Sequence, residues 1–212
     1  MNKKNYYAGD YMQDRYAGDV GDYGKIGVLK FLQTQGFTIG VNWYRVPVLD
    51  NEKKERSTGL RECDVALKVG ELVAKYLNAV GIETMVHQND SLSAVCFRAN
   101  SLEADLFISI HCNSVESPYA EGTETWYCNG SSAGRMLAEC IQDQIVDSLN
   151  TVDRGIKVAV PGKNGLYVLT NTDMPAVLVE LAFISNEDDE KLLRNNQDDF
   201  ARAIARGVTD YL

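Results

Sequence analysis

The chain has 212 residues, of which 45% are hydrophobic and 24% are charged, which is ordinary for a soluble globular protein. Its formal net charge of −9 argues against nucleic acid or an anionic membrane surface as a partner, because both attract clustered Lys and Arg. The five cysteines form no CxxC pair, and their odd number favours free thiols in a reducing compartment over a disulfide framework.

Residues 1–56 differ in composition from the rest of the chain. They are rich in Gly, Asp and Tyr, and the tetrapeptide YAGD occurs twice. We predict turns here, then a short helix in KIGVLKFLQTQG that ends at Gly36, and a strand over residues 37–46, where β-branched and aromatic residues cluster. This segment is predicted to be an atypical N-terminal region that could supply a first strand to a domain formed by residues 57–212.

From Arg61 onward, helical patterns alternate with short buried strands. Apolar residues at helical spacing predict helices at 65–77, 93–103, 136–145 and 200–208. Strands are predicted at 82–86, 106–110 and 123–128, and within the segments GLYVLTN and PAVLVELAF. This alternation predicts an α/β fold with a mostly parallel, twisted sheet flanked by helices, in a single domain of catalytic type.

Two of the predicted strands contain polar residues that can bind a metal. The run FISIHCN reaches His111 where the strand ends, and Glu180 interrupts the apolar run AVLVELAF. Sites in open α/β sheets form beyond the carboxyl ends of the strands, and a carboxylate in an apolar strand is costly to bury unless it is paired, protonated or near a metal. A third candidate is Glu62, at the start of a predicted helix, where the helix N-terminus also favours an anion for structural reasons alone.

These residues could form a catalytic zinc site. Such a site commonly has three protein ligands and one open position for water, and a nearby carboxylate can move the protons. His111 and Glu62 as ligands, with Glu180 as the base, would form part of such a set. Spacing alone does not single them out, since a core histidine, a helix-start carboxylate and a buried ion-paired acid are structural alternatives for the three.

Several segments together resemble a known family. They are TGLRECDVALKVGELVAKYL, ANSLEADLFISIHCNS, EGTETWY, DRGIKV, LYVLTNTDMPAVLVELAFISNEDDEKLL and FARAIARGVTDYL. In this order they resemble successive blocks of the zinc-dependent N-acetylmuramoyl-L-alanine amidases of the amidase_3 type, which are cell-wall hydrolases of bacteria and phages. The resemblance covers residues 57–212, whereas the N-terminal segment resembles the start of a different, uncharacterised bacterial family.

The resemblance implies a reaction and a set of residues. The reaction is cleavage of the amide between N-acetylmuramic acid and the L-alanine of the stem peptide, so peptidoglycan or muropeptides would be the partners. One zinc ion would be bound by Glu62 and His111, and Glu180 would be the catalytic carboxylate. Three more residues lie in the matching segments and receive no role: Asn113, Arg154 and Asn186.

The chain departs from the family pattern at the first zinc ligand. The family's first strand ends in a Gly-His-Gly-Gly-like motif that this sequence lacks. If the strand predicted over residues 37–46 takes the place of that first strand, Arg45 falls near the expected histidine. Arginine stays protonated and has only donors, so it cannot bind zinc. The other histidine, His87, lies in a segment that does not correspond to the missing ligand, and we expect it to be a polar residue at a strand end. An aspartate of the N-terminal segment could substitute, such as Asp10, Asp19 or Asp22.

This departure leaves a second function open. The chain could be a degenerate, catalytically inactive amidase-like domain that binds cell-wall fragments or a protein partner, or a non-functional gene fusion. No signal peptide and no apolar run of about 20 residues occurs in the sequence, so we expect no membrane insertion. The chain as encoded is predicted to be cytoplasmic, and it would act at the cell wall if it is exported or released.

Overall fold

The computed structural model describes the backbone of residues 25–33 and 36–44, and residues 59–88, 91–164 and 166–212. The strands in this part of the chain are β1 (Lys25–Gln33), β2 (Gly36–Tyr44), β3 (Ile82–Gln88), β4 (Ala104–Asn113), β5 (Thr123–Cys128), β6 (Asp153–Ala159) and β7 (Ala176–Phe183). The helices are α1 (Glu62–Ala79), α2 (Leu92–Ser101), α3 (Ser132–Leu149), α4 (Tyr167–Thr170), α5 (Glu187–Asn195) and α6 (Gln197–Tyr211). None of the helices in the described ranges is both long and apolar enough to cross a bilayer.

The described strands form one seven-stranded sheet in the order β2-β3-β1-β4-β7-β5-β6, and β1 also pairs with β2. Strands β2 and β3, β4 and β7, and β5 and β6 pair in parallel, whereas β1 is antiparallel to its neighbours and β5 is antiparallel to β7. The predicted α/β class, a mostly parallel sheet flanked by helices, is confirmed. The division into residues 1–56 and 57–212 stays a prediction.

Strand β4 shows how the sheet buries both of its faces. Because side chains alternate along a strand, Leu106, Ile108 and Ile110 point to one face and Phe107 to the other. The first three belong to a core cluster with residues of α1, α3 and α6. Phe107 belongs to a second cluster with residues of α2 and α4. The sheet is therefore the middle layer of three, which explains the continuous apolar run in the sequence.

Two predicted elements have a different structure from the one expected. The segment KIGVLKFLQTQG, predicted as a helix, contains strand β1, which pairs along its whole length with β2. The segment GLYVLTN, predicted as a strand, contains the short helix α4. Its Val168 and Leu169 pack into the cluster with α2, and the sheet edge beyond β5 is occupied by β6, a strand that was not predicted.

Candidate active site

A row of polar side chains crosses three neighbouring strands, β4, β7 and β5, near the carboxyl ends of β4 and β7. We call this end of the strands the site edge of the sheet. The pairing register places His111 of β4 beside Glu180 of β7, and Glu180 beside Glu124 of β5. Residues in register on paired strands point to the same face, and neighbouring strands lie about 4.8 Å apart. The sheet therefore brings His111 and Glu180 together, and it adds Glu124, which the sequence did not single out.

Glu62 reaches the same edge from a different element. It begins α1, which packs on the opposite face of the sheet from His111, and its side chain extends over the carboxyl end of β4. Glu62 Oε1 lies 3.2 Å from His111 Nδ1, and both side chains are almost completely buried. The same oxygen accepts a hydrogen bond from the backbone N–H of Cys112 at 3.1 Å. The two predicted ligands thus converge, although 49 positions separate them in the sequence.

The His111 ring is held from both sides. Its Nε2 lies 3.0 Å from the hydroxyl of Ser109, which is also buried. Ser109 lies two residues earlier on β4 and therefore on the same face of the sheet. A partner for the second ring nitrogen is the usual way in which a metal-binding histidine is oriented. The strand register also shifts between His111 and Asn113, and such bulges change the direction of nearby side chains.

Cys112, adjacent to His111, belongs to the core. It is fully buried and packs in the cluster with α1, as the alternation along the strand predicted. Burial raises the pKa of its thiol well above the ordinary value, and the nearby carboxylates of Glu62 and Glu180 raise it further. A thiol held in its protonated form does not serve as a ready metal ligand, because thiolate is the form that binds metals.

Glu124 is the centre of a hydrogen-bonded cluster that the sequence did not reveal. Its Oε1 accepts hydrogen bonds from Asn113 Nδ2 at 3.2 Å and from Trp126 Nε1 at 3.0 Å. Its Oε2 is 2.8 Å from Arg154 Nε. The Glu124 side chain is 7% exposed and that of Arg154 is 36% exposed. Asn113 and Arg154, which lay in motif segments without a role, therefore both contact one buried carboxylate beside Glu180.

Asn186 has a structural function. It is the N-cap of α5, and its Oδ1 accepts hydrogen bonds from the backbone N–H groups of Asp188 and Asp189 at 2.9 and 3.0 Å. Its Nδ2 donates to the carbonyl oxygen of Pro118 at 3.0 Å. Asn186 therefore ties the β4–β5 loop, residues 114–122, to the end of β7 at the rim of the site.

Comparison with known proteins identifies the family. Residues 50–210 match the Amidase_3 family, described as N-acetylmuramoyl-L-alanine amidase. The chain belongs to this family. The predicted resemblance to the amidase_3 family of bacterial and phage cell-wall hydrolases is confirmed.

The chain is also similar in sequence to individual amidases. The chain is 36% identical over 170 residues to the N-acetylmuramoyl-L-alanine amidase LytC of Bacillus subtilis, a match that covers 76% of this chain and 33% of LytC. It is 32% identical over 169 residues to the endolysin of Bacillus phage SPP1, covering 74% of this chain and 60% of the endolysin. The chain thus spans about a third of LytC and somewhat more than half of the phage enzyme.

A solved structure agrees with the sheet and helices described above. The crystal structure of an N-acetylmuramoyl-L-alanine amidase from Clostridium difficile 630 is 31% identical and superimposes with a TM-score of 0.67, covering 76% of this chain and 90% of that one. The fold of this amidase domain is therefore that of known amidase catalytic domains.

Amidase_3 enzymes are generally zinc-dependent, so the donor atoms must be tested against that metal. Imidazole nitrogen and carboxylate oxygen are both zinc ligands, bound at about 2.0–2.2 Å, and two such atoms on one tetrahedral ion lie about 3.3–3.6 Å apart. The 3.2 Å between His111 Nδ1 and Glu62 Oε1 is close to that separation. In kind and spacing, these two residues fit a zinc ion.

The third protein ligand is not found in the described part of the chain. Over residues 59–88, 91–164 and 166–212, no group of three or more His, Cys, Asp or Glu is arranged to hold a metal. His87 lies on β3 and contacts Arg98 of α2. That it is not the missing ligand stays a prediction. Arg45 and the aspartates Asp10, Asp19 and Asp22 lie outside the described residues.

Proposed function

We propose that the chain hydrolyses the amide between N-acetylmuramic acid and the L-alanine of the stem peptide in peptidoglycan, with one zinc ion held by Glu62 and His111 and with Glu180 as the catalytic carboxylate. The observation that supports this proposal is the convergence of the three residues at the site edge of the sheet. His111 and Glu62 approach to 3.2 Å, and Glu180 is the register neighbour of His111.

The surroundings of the two proposed ligands suit metal binding. The Cys112 N–H group fixes one oxygen of Glu62, and the Ser109 hydroxyl fixes the His111 ring, so both side chains are oriented before a metal arrives. When bound there, zinc would polarise the scissile carbonyl and acidify a water molecule. The burial of both side chains keeps bulk water away from the donor atoms, which strengthens electrostatic interactions at the site.

The position of Glu180 supports its proposed role in proton transfer. It lies one strand from His111 on the same face, so its carboxylate can accept a proton from the attacking water and donate it to the leaving amine. In the balanced reaction the water oxygen bonds to the carbonyl carbon of the lactyl group, and the C–N bond breaks. The products are a free carboxylate on the sugar and a free amino group on L-alanine.

Two measurements on the full chain test this proposal. Incubation with purified peptidoglycan should release new N-terminal alanine amines, and a chelator should abolish the release. Elemental analysis of the purified protein should find about one zinc per chain, as expected for a single catalytic site. A chain that takes up no zinc and produces no new alanine amine would contradict the proposal.

A second candidate function rests on the position of His87. The chain contains two histidines, and His87 contacts Arg98 rather than joining the pair of His111 and Glu62. The third ligand would then have to be a carboxylate or a thiolate, and a site that lacks it would bind cell-wall fragments without cleaving them. Muropeptide binding that persists in chelator and is unchanged by Glu180→Ala would favour this function over hydrolysis.

A further inference from the structure

Arg154 is a cation at the end of the polar row, and its guanidinium contacts three other residues. Its Nε donates to Glu124 Oε2 at 2.8 Å, and its Nη1 makes a long contact of 3.4 Å with the carbonyl oxygen of Glu121. The centre of the guanidinium lies 4.8 Å from the centroid of the Phe183 ring. An exposed arginine usually samples many rotamers, whereas these contacts hold the guanidinium in one plane.

The residue that orients Arg154 is itself immobilised. Glu124 is 7% exposed at its side chain, and its other oxygen is occupied by Asn113 and Trp126. Ordinary surface ion pairs contribute little to folding stability, and they form without a buried, hydrogen-bonded carboxylate. A buried carboxylate with three donors from three different strands is a more elaborate arrangement than a surface pair requires. It is suited to presenting a cation in a fixed direction.

Part of the guanidinium remains available. The Arg154 side chain is 36% exposed, and Nη2 has no hydrogen-bond acceptor among the residues that the structure describes. The row beside it contains the carboxylates of Glu180 and Glu124, and Glu62 contacts His111 at the other end of the row, in a chain with a net charge of −9. An anionic part of a substrate would be repelled by this surface unless a cation receives it. A guanidinium suits a carboxylate because two N–H groups can bind its two oxygens.

The strand order sets an upper limit on the distance from Arg154 to the reacting bond, because the guanidinium reaches back to Glu124 of β5 and Phe183 of β7. Arg154 lies on β6, two strands from Glu180 of β7, with β5 between them. Neighbouring strands are about 4.8 Å apart, so the two strands are separated by about 10 Å. An extended peptide advances about 3.3–3.6 Å per residue, so about 10 Å corresponds to at most two or three residues.

We infer that Arg154 binds a carboxylate of the stem peptide within two or three residues of the scissile amide, and that Glu124 is the positioning residue that aims it. This inference rests on the proposed function, since it takes the stem peptide as the ligand. It makes Arg154 a specificity-determining residue: stems with a free carboxylate at that position are preferred to stems in which it is amidated.

A binding measurement tests the inference without requiring turnover. The full chain is titrated calorimetrically with synthetic stem peptides that begin with L-alanine and differ only in one group, a free carboxylate or a carboxamide at the second or the third residue. We expect the wild-type chain to bind a free-carboxylate peptide about tenfold or more tightly than its amide, within the range for a charge-assisted hydrogen-bonded pair. Equal affinities for all peptides, or no binding of any, would overturn the inference.

Variants assign the preference to the guanidinium. Arg154→Gln should abolish it, and Arg154→Lys should restore part of it, because lysine keeps the charge but lacks the planar fork. Arg135→Gln is the matched control, since Arg135 is an exposed arginine paired with Glu139 on α3, and it should keep the full preference. If Arg154→Gln binds both peptides as the wild type does, Arg154 has no part in recognition.

Kinetics separate positioning by Glu124 from a purely structural role. On a cleavable muropeptide with the free carboxylate, Glu124→Gln should raise KM several-fold with little change in kcat, and it should have no such effect on the amidated substrate. A loss of thermal stability with the preference intact would show that Glu124 is only structural. A wild-type chain that prefers the carboxylate peptides but cleaves nothing would refute the proposed hydrolysis and leave the inference standing, whereas cleavage without preference would do the reverse.

Discussion

Two buried carboxylates at the site edge of the sheet have basic partners of different chemistry. Glu62 faces His111, and both side chains are almost completely buried. Glu124 faces Arg154, whose guanidinium is permanently charged and partly exposed. Imidazole can lose its proton and offer a lone pair to a metal, whereas guanidinium can only donate hydrogen bonds. The first pair is therefore suited to exchanging its proton for a metal, and the second to keeping a fixed positive charge.

The difference supports the proposed division of this sheet into a part that carries out the chemistry and a part that recognises the substrate. Glu180 lies between the pairs, with His111 on one neighbouring strand and Glu124 on the other. Substitutions at the Glu62–His111 end should change turnover and metal content. Substitutions at the Glu124–Arg154 end should change affinity and stability. Five predictions test this division, beginning with the largest expected effect.

Replacement of the central carboxylate should have the largest effect. Glu180→Gln keeps the shape of the side chain but cannot take up a proton, so kcat for release of alanine amines should fall by about 10²–10⁴-fold. Zinc content, measured by elemental analysis, should stay at the wild-type level because Glu180 is not one of the proposed ligands. Full activity of Glu180→Gln would remove it from the catalytic role.

Replacement of His111 should remove the metal. Loss of an orienting partner of a ligand typically costs about 10–100-fold in metal affinity, and loss of the ligand itself should cost at least the upper end of that range. His111→Ala should therefore bind zinc more than about 100-fold more weakly in a competition assay with a chelating dye. His87→Ala, the control at the chain's other histidine, should bind zinc as the wild type does; equal losses in the two variants would contradict the assignment.

The residues of the site that could be predicted are marked by the sequence immediately around them, whereas the others depend on contacts between distant parts of the chain. His111 and Glu180 stand out because each interrupts or ends a continuous apolar run, and such runs are typical of buried strands. Glu124 lies in EGTETWY between two threonines, where a carboxylate looks like an ordinary exposed residue. Its burial results from pairing of β5 with β7 and β6, and its partner Arg154 is 30 residues away in sequence.

The elements of the fold were also predictable only where the local sequence pattern decides the structure. Strands β4 and β7 could be predicted, but the four residues of α4 form an apolar run too short to distinguish a helix turn from a strand by periodicity. Strand β1 has the spacing of a short helix, and its pairing with β2 and β4 outweighs that local preference. Strand β6 was missed because its apolar alternation is limited to Ile156, Lys157 and Val158, and most of its residues are exposed or half-buried.

Removal of the guanidinium should reduce stability as well as affinity. Arg154→Gln leaves Glu124 buried without its cation, and breaking a fully buried pair in this way costs about 3–5 kcal/mol. Because Arg154 is 36% exposed, water can replace part of the interaction, and we expect about 1–3 kcal/mol in the free energy of unfolding by urea. The double variant with Glu124→Gln should recover part of this loss. A double variant no more stable than Arg154→Gln would show that the charge of Glu124 is not the cause.

Removal of the α5 cap should test whether the rim of the site depends on its anchor. Asn186→Ala deletes two cap hydrogen bonds and the contact with Pro118, so the free energy of unfolding should fall by about 1 kcal/mol. It should also raise KM, because the β4–β5 loop loses an attachment. Ser91→Ala, which removes the N-cap of α2, should cost a similar amount of stability with KM unchanged. Identical KM values for both variants would mean that this loop does not contact the substrate.

The smallest expected effect is at an exposed cluster of charged residues outside the site. This cluster serves as an exposed comparison for the buried Glu124–Arg154 pair. Tyr76 of α1 donates a hydrogen bond to Asp198 of α6, and Arg202 pairs with the same carboxylate at 2.8 Å. The Tyr76 hydrogen bond, with the charge of Arg202, lowers the pKa of Asp198 below its ordinary value. This contribution to stability is present above the unfolded-state pKa of about 3.9 and is lost as the pH falls through the lower folded-state value.

Asp198→Asn should therefore lower Tm slightly at pH 7 and have no effect well below pH 3, where the wild-type carboxylate is also protonated. High salt should screen the part of the difference at pH 7 that comes from the charge of Arg202, because the cluster is exposed to solvent. Salt should change the effect of Arg154→Gln much less, since Glu124 is buried. If salt reduces both effects equally, the Glu124–Arg154 pair behaves as a surface ion pair, and the argument that Glu124 holds the guanidinium in place fails with it.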